Sequence, residues 1–167
     1  MAFSCLFAVV TGAAEGGYAL TAFDKALLAA GLGNLNLVKV SSVLPEGARM
    51  TESIELPPGS LVPVAYGCAA SEAPGELISA AIAVGRTRDS FGLIMEYAGQ
   101  GPRQRAEELV TAMIEESFAA RGLRLHEIIV RGVEHRVVRV GCVIAAVAMW
   151  SAKGGQEAIA GMVQRPN

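Results

Sequence analysis

Several stretches of this chain carry residue types that do chemistry in other settings. Thr11-Gly12-Ala13-Ala14-Glu15-Gly16-Gly17-Tyr18 follows an apolar run, where a phosphate-binding loop would stand. Such a loop ends in a Lys for the phosphates and a Ser or Thr for magnesium. Gly16-Gly17-Tyr18 supplies neither, so a tight turn is expected. Gly31-Leu32-Gly33-Asn34-Leu35-Asn36 imitates the opening of a dinucleotide fingerprint, but it follows a predicted helix and has Asn where the third Gly belongs. His126 and His135, flanked by Glu127 and Glu134, fit no helix face, and no Cys pair completes a zinc set, so no metal is expected. The sequence has no Gly-x-Ser-x-Gly elbow. Its three lysines, Lys25, Lys39 and Lys153, have no phosphate cradle beside them for a pyridoxal cofactor.

Five polar residues in apolar settings remain. Ser41-Ser42 lies in the run Gly33-Asn34-Leu35-Asn36-Leu37-Val38-Lys39-Val40-Ser41-Ser42-Val43-Leu44-Pro45. By itself the pair is accounted for by a strand end whose hydroxyls bond to the following turn. Asn36 is either a strand-edge amide satisfying local backbone or a donor to an oxyanion. Glu96, in Leu93-Ile94-Met95-Glu96-Tyr97, is either a carboxylate kept protonated by apolar neighbours or an outward-facing strand residue. Asp24 completes Thr21-x-x-Asp24, a capping-box pattern for a helix that follows.

The elements that must position these residues follow from apolar periodicity and turn residues. Strands are predicted at Phe3 to Val10, Leu35 to Ser42, Leu61 to Ala70 and Gly92 to Tyr97, with a strand or mixed segment at Glu76 to Val84. A first helix is expected over Ala22 to Ala30, with Thr21 as N-cap and Gly31 just past its end. A second covers Arg103 to Arg121, where Ala106, Leu109, Val110, Met113 and Ile114 share one stripe and Gly122 stops it. Strands at Leu125 to Val130 and Val137 to Trp150 precede a polar tail, 151–167. No repeat or linker divides the chain, so one α/β or α+β layered domain over 1–167 is expected.

Composition excludes several classes. With 52% hydrophobic and 18% charged residues, against about 25% charged in ordinary soluble domains, the chain is neither disordered nor a coiled coil. Fourteen basic against sixteen acidic residues, net −2, with no basic run, exclude a phosphate-facing patch, so no nucleic acid partner is expected. Val140 to Trp150 is too short to cross a bilayer of roughly 30 Å as a helix, and Ala2 to Val10 lacks the preceding positive charge of a signal peptide. The three cysteines, Cys5, Cys68 and Cys142, are odd in number and widely spaced. They are expected as buried free thiols of a cytoplasmic protein with no membrane partner. So apolar a chain of this size is expected to associate with copies of itself.

The segment around Ser41-Ser42, with Leu20-Thr21-Ala22-Phe23-Asp24 before it and Gly92-Leu93-Ile94-Met95-Glu96-Tyr97 after it, resembles the pyruvoyl-dependent arginine decarboxylases. Pro63-Val64-Ala65-Tyr66-Gly67, Pro74-Gly75-Glu76 and Gly141-Cys142 are similar to that family in the same order, and the resemblance runs from about Phe7 to Trp150. It implies a four-layer αββα sandwich, self-cleaved into a β chain, 1–41, and an α chain, 42–167, and assembled as a homotrimer with sites between neighbours. The implied reaction is decarboxylation of L-arginine to agmatine and CO2, with no metal. The cofactor it implies is a covalent pyruvoyl group derived from Ser42.

In that scheme the Ser42 hydroxyl attacks the Ser41 carbonyl carbon, turning the amide into an ester. β-Elimination then frees the Ser41 carboxylate, and the dehydroalanine left at position 42 hydrolyses with loss of ammonia to the pyruvoyl cap. The resemblance assigns Ser42, Glu96 and Asn36 to catalysis, with Glu96 as proton donor. It assigns Ser41 and Ser42 to the cleavage, Asp24 to the substrate guanidinium, and Leu20, Gly33 and Leu35 to the pocket wall. A carboxylate receives the planar guanidinium through two parallel hydrogen bonds. Two alternatives stand beside this reading: a pyruvoyl-dependent decarboxylase of another amino acid, and a non-processing oligomeric module of the same fold.

Overall fold

A strand buried on both faces must lie in the middle of a layered fold. Leu77–Arg86 and Gly141–Ser151 are such strands, with nearly every residue buried. The computed structural model describes residues 5–151. In chain order its elements are β1 (Cys5–Glu15), α1 (Ala19–Ala29), β2 (Asn36–Lys39), β3 (Val43–Leu44), β4 (Arg49–Met50), β5 (Leu61–Ser71), β6 (Leu77–Arg86), β7 (Gly92–Gln100), α2 (Arg103–Ala120), β8 (Glu127–Arg136) and β9 (Gly141–Ser151). The start of the first expected strand, Phe3 and Ser4, and the expected tail beyond Ser151 lie outside the described residues.

The protein is a mixed α/β fold with two sheets and two helices among the described residues. One sheet runs β2-β5-β9-β1-β4 and the other β3-β7-β6-β8. Three apolar clusters join the layers. Phe7, Ile82, Ile94, Val143 and Val147 fill the space between the sheets. Ala22, Ala26, Leu32, Val64 and Ile144 join α1 to the outer face of the first sheet. Ala81, Leu93, Val110, Ile114 and Phe118 join α2 to the outer face of the second. On α2 the buried residues are Ala106, Val110, Ile114 and Phe118, spaced by four, while Leu109 and Met113 of the expected stripe sit half-buried at its margins. Gly122 ends the helix with φ +63°.

Several sequence expectations are corrected. The first strand does not stop at the glycines but continues through Gly12 to Glu15, so the expected tight turn is confined to the residues after Glu15. A Cβ at Gly12 would lie 2.1 Å from the Ala26 carbonyl oxygen, so this glycine lets α1 settle on β1. The first helix begins at Ala19, with Tyr18 as its cap. Thr21 lies inside the first turn, its hydroxyl oxygen accepting the Tyr18 N–H at 3.1 Å. Asp24 is therefore an exposed mid-helix residue and not part of a capping box.

The expected strand Leu35 to Ser42 is divided between the two sheets, as β2 and β3. Cys68 is exposed, whereas Cys142 is buried and Cys5 half-buried, all three as free thiols.

The β8–β9 connection is organised by a residue far away in sequence. The Glu15 carboxylate accepts the N–H groups of Val138, Arg139 and Val140 at 2.8, 3.0 and 3.0 Å and meets His135 Nε2 at 2.7 Å. These donors hold its pKa down to about 2, the Val138 N–H contributing most. Glu127 pairs with Arg86, and Glu134 accepts the Arg103 N–H, so these two carboxylates serve packing between elements. No helix among the described residues is long and apolar enough to cross a membrane.

Candidate active site

The Ser41–Ser42 link lies where the chain leaves the edge of one sheet and enters the edge of the other. The Val40 N–H still bonds to the first sheet, donating to the Val64 carbonyl at 3.2 Å. Ser42 already belongs to the second, its carbonyl accepting the Ile94 N–H at 2.9 Å. Between these anchors the Val43 N–H donates to the Ser41 carbonyl oxygen at 2.9 Å, closing a three-residue turn about Ser42. The backbone around position 42 is thus held from both sides.

The Ser42 hydroxyl donates to Glu96 Oε2 at 3.2 Å. Strand alternation explains the carboxylate's direction. On β7, Leu93, Met95 and Tyr97 pack toward α2, whereas Ile94 and Ala98 pack between the sheets. Glu96 shares the parity of Ile94 and Ala98, so it faces the inter-sheet space and is half-buried there. The expectation of an outward-facing strand carboxylate is set aside by this geometry. Opposite, a Cβ at Gly67 of β5 would lie 3.2 Å from the Tyr97 carbonyl carbon and oxygen. The backbones of β5 and β7 therefore approach closely beside Glu96.

Asn36 takes a different partner. Its side-chain amide donates to the Gly59 carbonyl at 2.8 Å, and its N–H donates to the Ser60 carbonyl at 2.9 Å. The side chain thus stitches β2, the strand that delivers Ser41, to the segment entering β5.

The remaining expected site residues form a second group. Leu20, 76% exposed, and Asp24 stand on the solvent side of α1. Gly33 and Leu35 line a cavity of about 190 Å³ with Leu28, Asn34, Ile54 and Leu56. This group lies on the α1 side of the first sheet, and Glu96 faces the same sheet from its inner side. Within the single chain, then, Ser41, Ser42 and Glu96 are brought together, and Asp24 and Leu20 are not brought to them.

Sequence reasoning passed over three backbone contributors: the N–H groups of Val43 and Ile94, and the missing side chain at Gly67. Only Gly67 left a signal, a glycine inside an otherwise regular strand.

Residues 6–153 match the family model of pyruvoyl-dependent arginine decarboxylase. Among curated relatives of that name, the protein of Methanocaldococcus jannaschii is 46% identical over 144 residues, covering 85% of this chain and 87% of that protein. The Pyrococcus abyssi protein is 44% identical over 146 residues, covering 85% and 92%. That of Methanococcus maripaludis is 42% identical over 144 residues, covering 85% and 88%.

Proposed function

The chain belongs to the pyruvoyl-dependent arginine decarboxylase family, and from that premise we propose that it severs itself between Ser41 and Ser42 and decarboxylates L-arginine to agmatine and CO2. The observation that carries the proposal is the 3.2 Å contact between the Ser42 hydroxyl and the Glu96 carboxylate. Whatever is made at position 42 arises beside a half-buried acid.

The residues present fit a pyruvoyl group derived from Ser42. Conversion removes the nitrogen and Oγ of residue 42 and turns its Cα into a ketone and its Cβ into a methyl. Its carbonyl is untouched, so it keeps the Ile94 N–H at 2.9 Å, and its Cβ keeps Glu96 as a neighbour. When formed, the group supplies a ketone to take up the substrate amine and an adjacent amide carbonyl to draw electrons from Cα as CO2 departs. Glu96 returns a proton to the substrate Cα. The Ile94 N–H holds residue 42 in register and lies on the oxygen toward which electrons flow. Asn36 holds the strand bearing Ser41. Asp24 receives the guanidinium, and Leu20, Gly33 and Leu35 bound its aliphatic stem.

Cleavage yields a β chain, 1–41, and an α chain, 42–167, of one domain arranged as a four-layer αββα sandwich. The pieces stay together, because β1 remains inserted between β9 and β4 with eleven registered pairs to β9. The separation of Asp24 from Glu96 within a protomer supports a homotrimer whose sites lie between neighbours, one copy supplying Asp24 and the next Glu96. Exposed Leu20, Val38 and Val43 are the apolar positions such a neighbour would cover. The acidic net charge and the free thiols suit a cytoplasmic enzyme that works on a small molecule without nucleic acid.

Intact-mass measurement and turnover of arginine, lysine, ornithine and aspartate test the proposal together. Two fragments divided after Ser41 and turnover of arginine are expected, and Ser42→Ala should give one intact, inactive chain. A chain that stays whole, or a processed one that ignores arginine and turns over another of these amino acids, would reject it.

A further inference from the structure

We infer that the backbone N–H of Val43 is the oxyanion donor of the self-cleavage, an assignment that rests on the processing proposed above. The first step is an acyl shift. As Ser42 Oγ bonds to the Ser41 carbonyl carbon, the carbonyl π pair moves onto the Ser41 oxygen. When that pair returns, the carbon–nitrogen bond breaks and the nitrogen of residue 42 departs as an amine, carrying the proton given up by the hydroxyl. No atom is gained or lost, and one amide has become one ester. Negative charge rests transiently on the Ser41 oxygen.

The Val43 N–H already donates to that oxygen at 2.9 Å. It is free to do so because of the register. Val43 pairs with Leu93, while the bond between the strands at this end runs from the Ile94 N–H to the Ser42 carbonyl. In an antiparallel ladder the N–H of the residue between bonded positions points away from the partner strand. Here it points back to the scissile carbonyl. The side-chain amide of Asn36 is engaged by Gly59 instead. The Ile94 contact clamps residue 42 from the other side, so the donor is positioned before any charge appears. A preorganised donor of this kind is typically worth about 10²–10³ in rate.

The test uses the full-length chain made by cell-free translation with the α-hydroxy analogue of valine at position 43. That change replaces the N–H by an ester oxygen and leaves the side chain intact. Processing is followed by intact mass from the moment of synthesis, beside the unsubstituted chain. Cleavage after Ser41 should slow on the order of 10²–10³-fold. Hydroxylamine cuts esters and spares amides, so it should release no Met1–Ser41 hydroxamate from the slow chain, because the block precedes the ester. (The introduced ester yields a Met1–Ser42 product, heavier by one serine.)

Cleavage within about three-fold of the unsubstituted rate would overturn the assignment, since a donor of this kind is worth far more. Accumulation of the Met1–Ser41 hydroxamate would do the same. A second measurement does not depend on the variant folding. In the full-length Ser42→Ala chain, amide hydrogen exchange at Val43 should be slowed at least roughly ten-fold relative to the unfolded rate, and an unprotected Val43 N–H would refute the hydrogen bond. If the unsubstituted chain itself stays whole, the self-processing proposal fails, an outcome distinct from equal cleavage of both chains.

Discussion

Glu96→Gln separates the making of the cofactor from its use. Gln is isosteric and keeps an oxygen that can accept the Ser42 hydroxyl, now as a neutral contact. The original bond is long at 3.2 Å. Exchanging a charged acceptor for a neutral one at that distance costs about 1 kcal/mol, or about five-fold in the population of the oriented hydroxyl. Self-cleavage should therefore slow by no more than about ten-fold. The amide has no proton to give at neutral pH, so turnover loses the whole contribution of the general acid, on the order of 10²–10⁴-fold in kcat. The assay has two arms: intact mass for the fraction cleaved after Ser41, and CO2 release per cleaved chain at saturating arginine. Cleaved Glu96→Gln with kcat within about three-fold of the parent would remove Glu96 from proton transfer, and the reasoning from strand parity would fall with it.

Asp24→Asn loses the charge that receives the guanidinium and should raise KM for arginine about 30- to 100-fold, the equivalent of roughly 2–3 kcal/mol, with little effect on cleavage. An unchanged KM would count against that role. Gly67→Ala puts a methyl 3.2 Å from the Tyr97 backbone and forces β5 and β7 apart by a few tenths of an ångström beside Glu96. Its kcat should fall about ten-fold or more while the fold persists, as misplacing catalytic groups does. Full activity would mean that the close approach is only packing. Glu15 is held down to about 2 in the folded chain, from an ordinary value of 4.5. Its contribution to stability is present above the unfolded value and is lost as pH falls from there through about 2. Melting temperature should thus drop with acid in that window for the parent and less steeply for Glu15→Gln, and parallel curves would refute the linkage.

Much of the frame is legible in residue order because burial leaves a local period. Residues spaced by four along α2 meet one face of β6, β7 and β8, so the helix and its Gly122 stop are visible without a structure. The continuous apolar run of β9 marks a strand covered on both sides. The Ser41-Ser42 pair alone is accounted for by a strand end, and its chemistry is indicated only by the family resemblance that the surrounding segments carry.

What the order of residues cannot carry is which surface another part of the chain will present. Gly12 read as a turn because its reason, the Ala26 carbonyl 2.1 Å from any Cβ there, belongs to α1. The strand ending at Ser42 read as one element because nothing local reveals that Val64 and Ile94, in different sheets, compete for its two ends. The direction of Glu96, the partner of Asn36 and the gathering of three N–H groups by Glu15 were likewise decided only when distant segments met. Local sequence determined most of the elements, and the resemblance it carries marked the Ser41–Ser42 bond as the one expected to be cut. Tertiary packing decided the sheet each edge joins, and with it the carboxylate and the N–H that meet that bond.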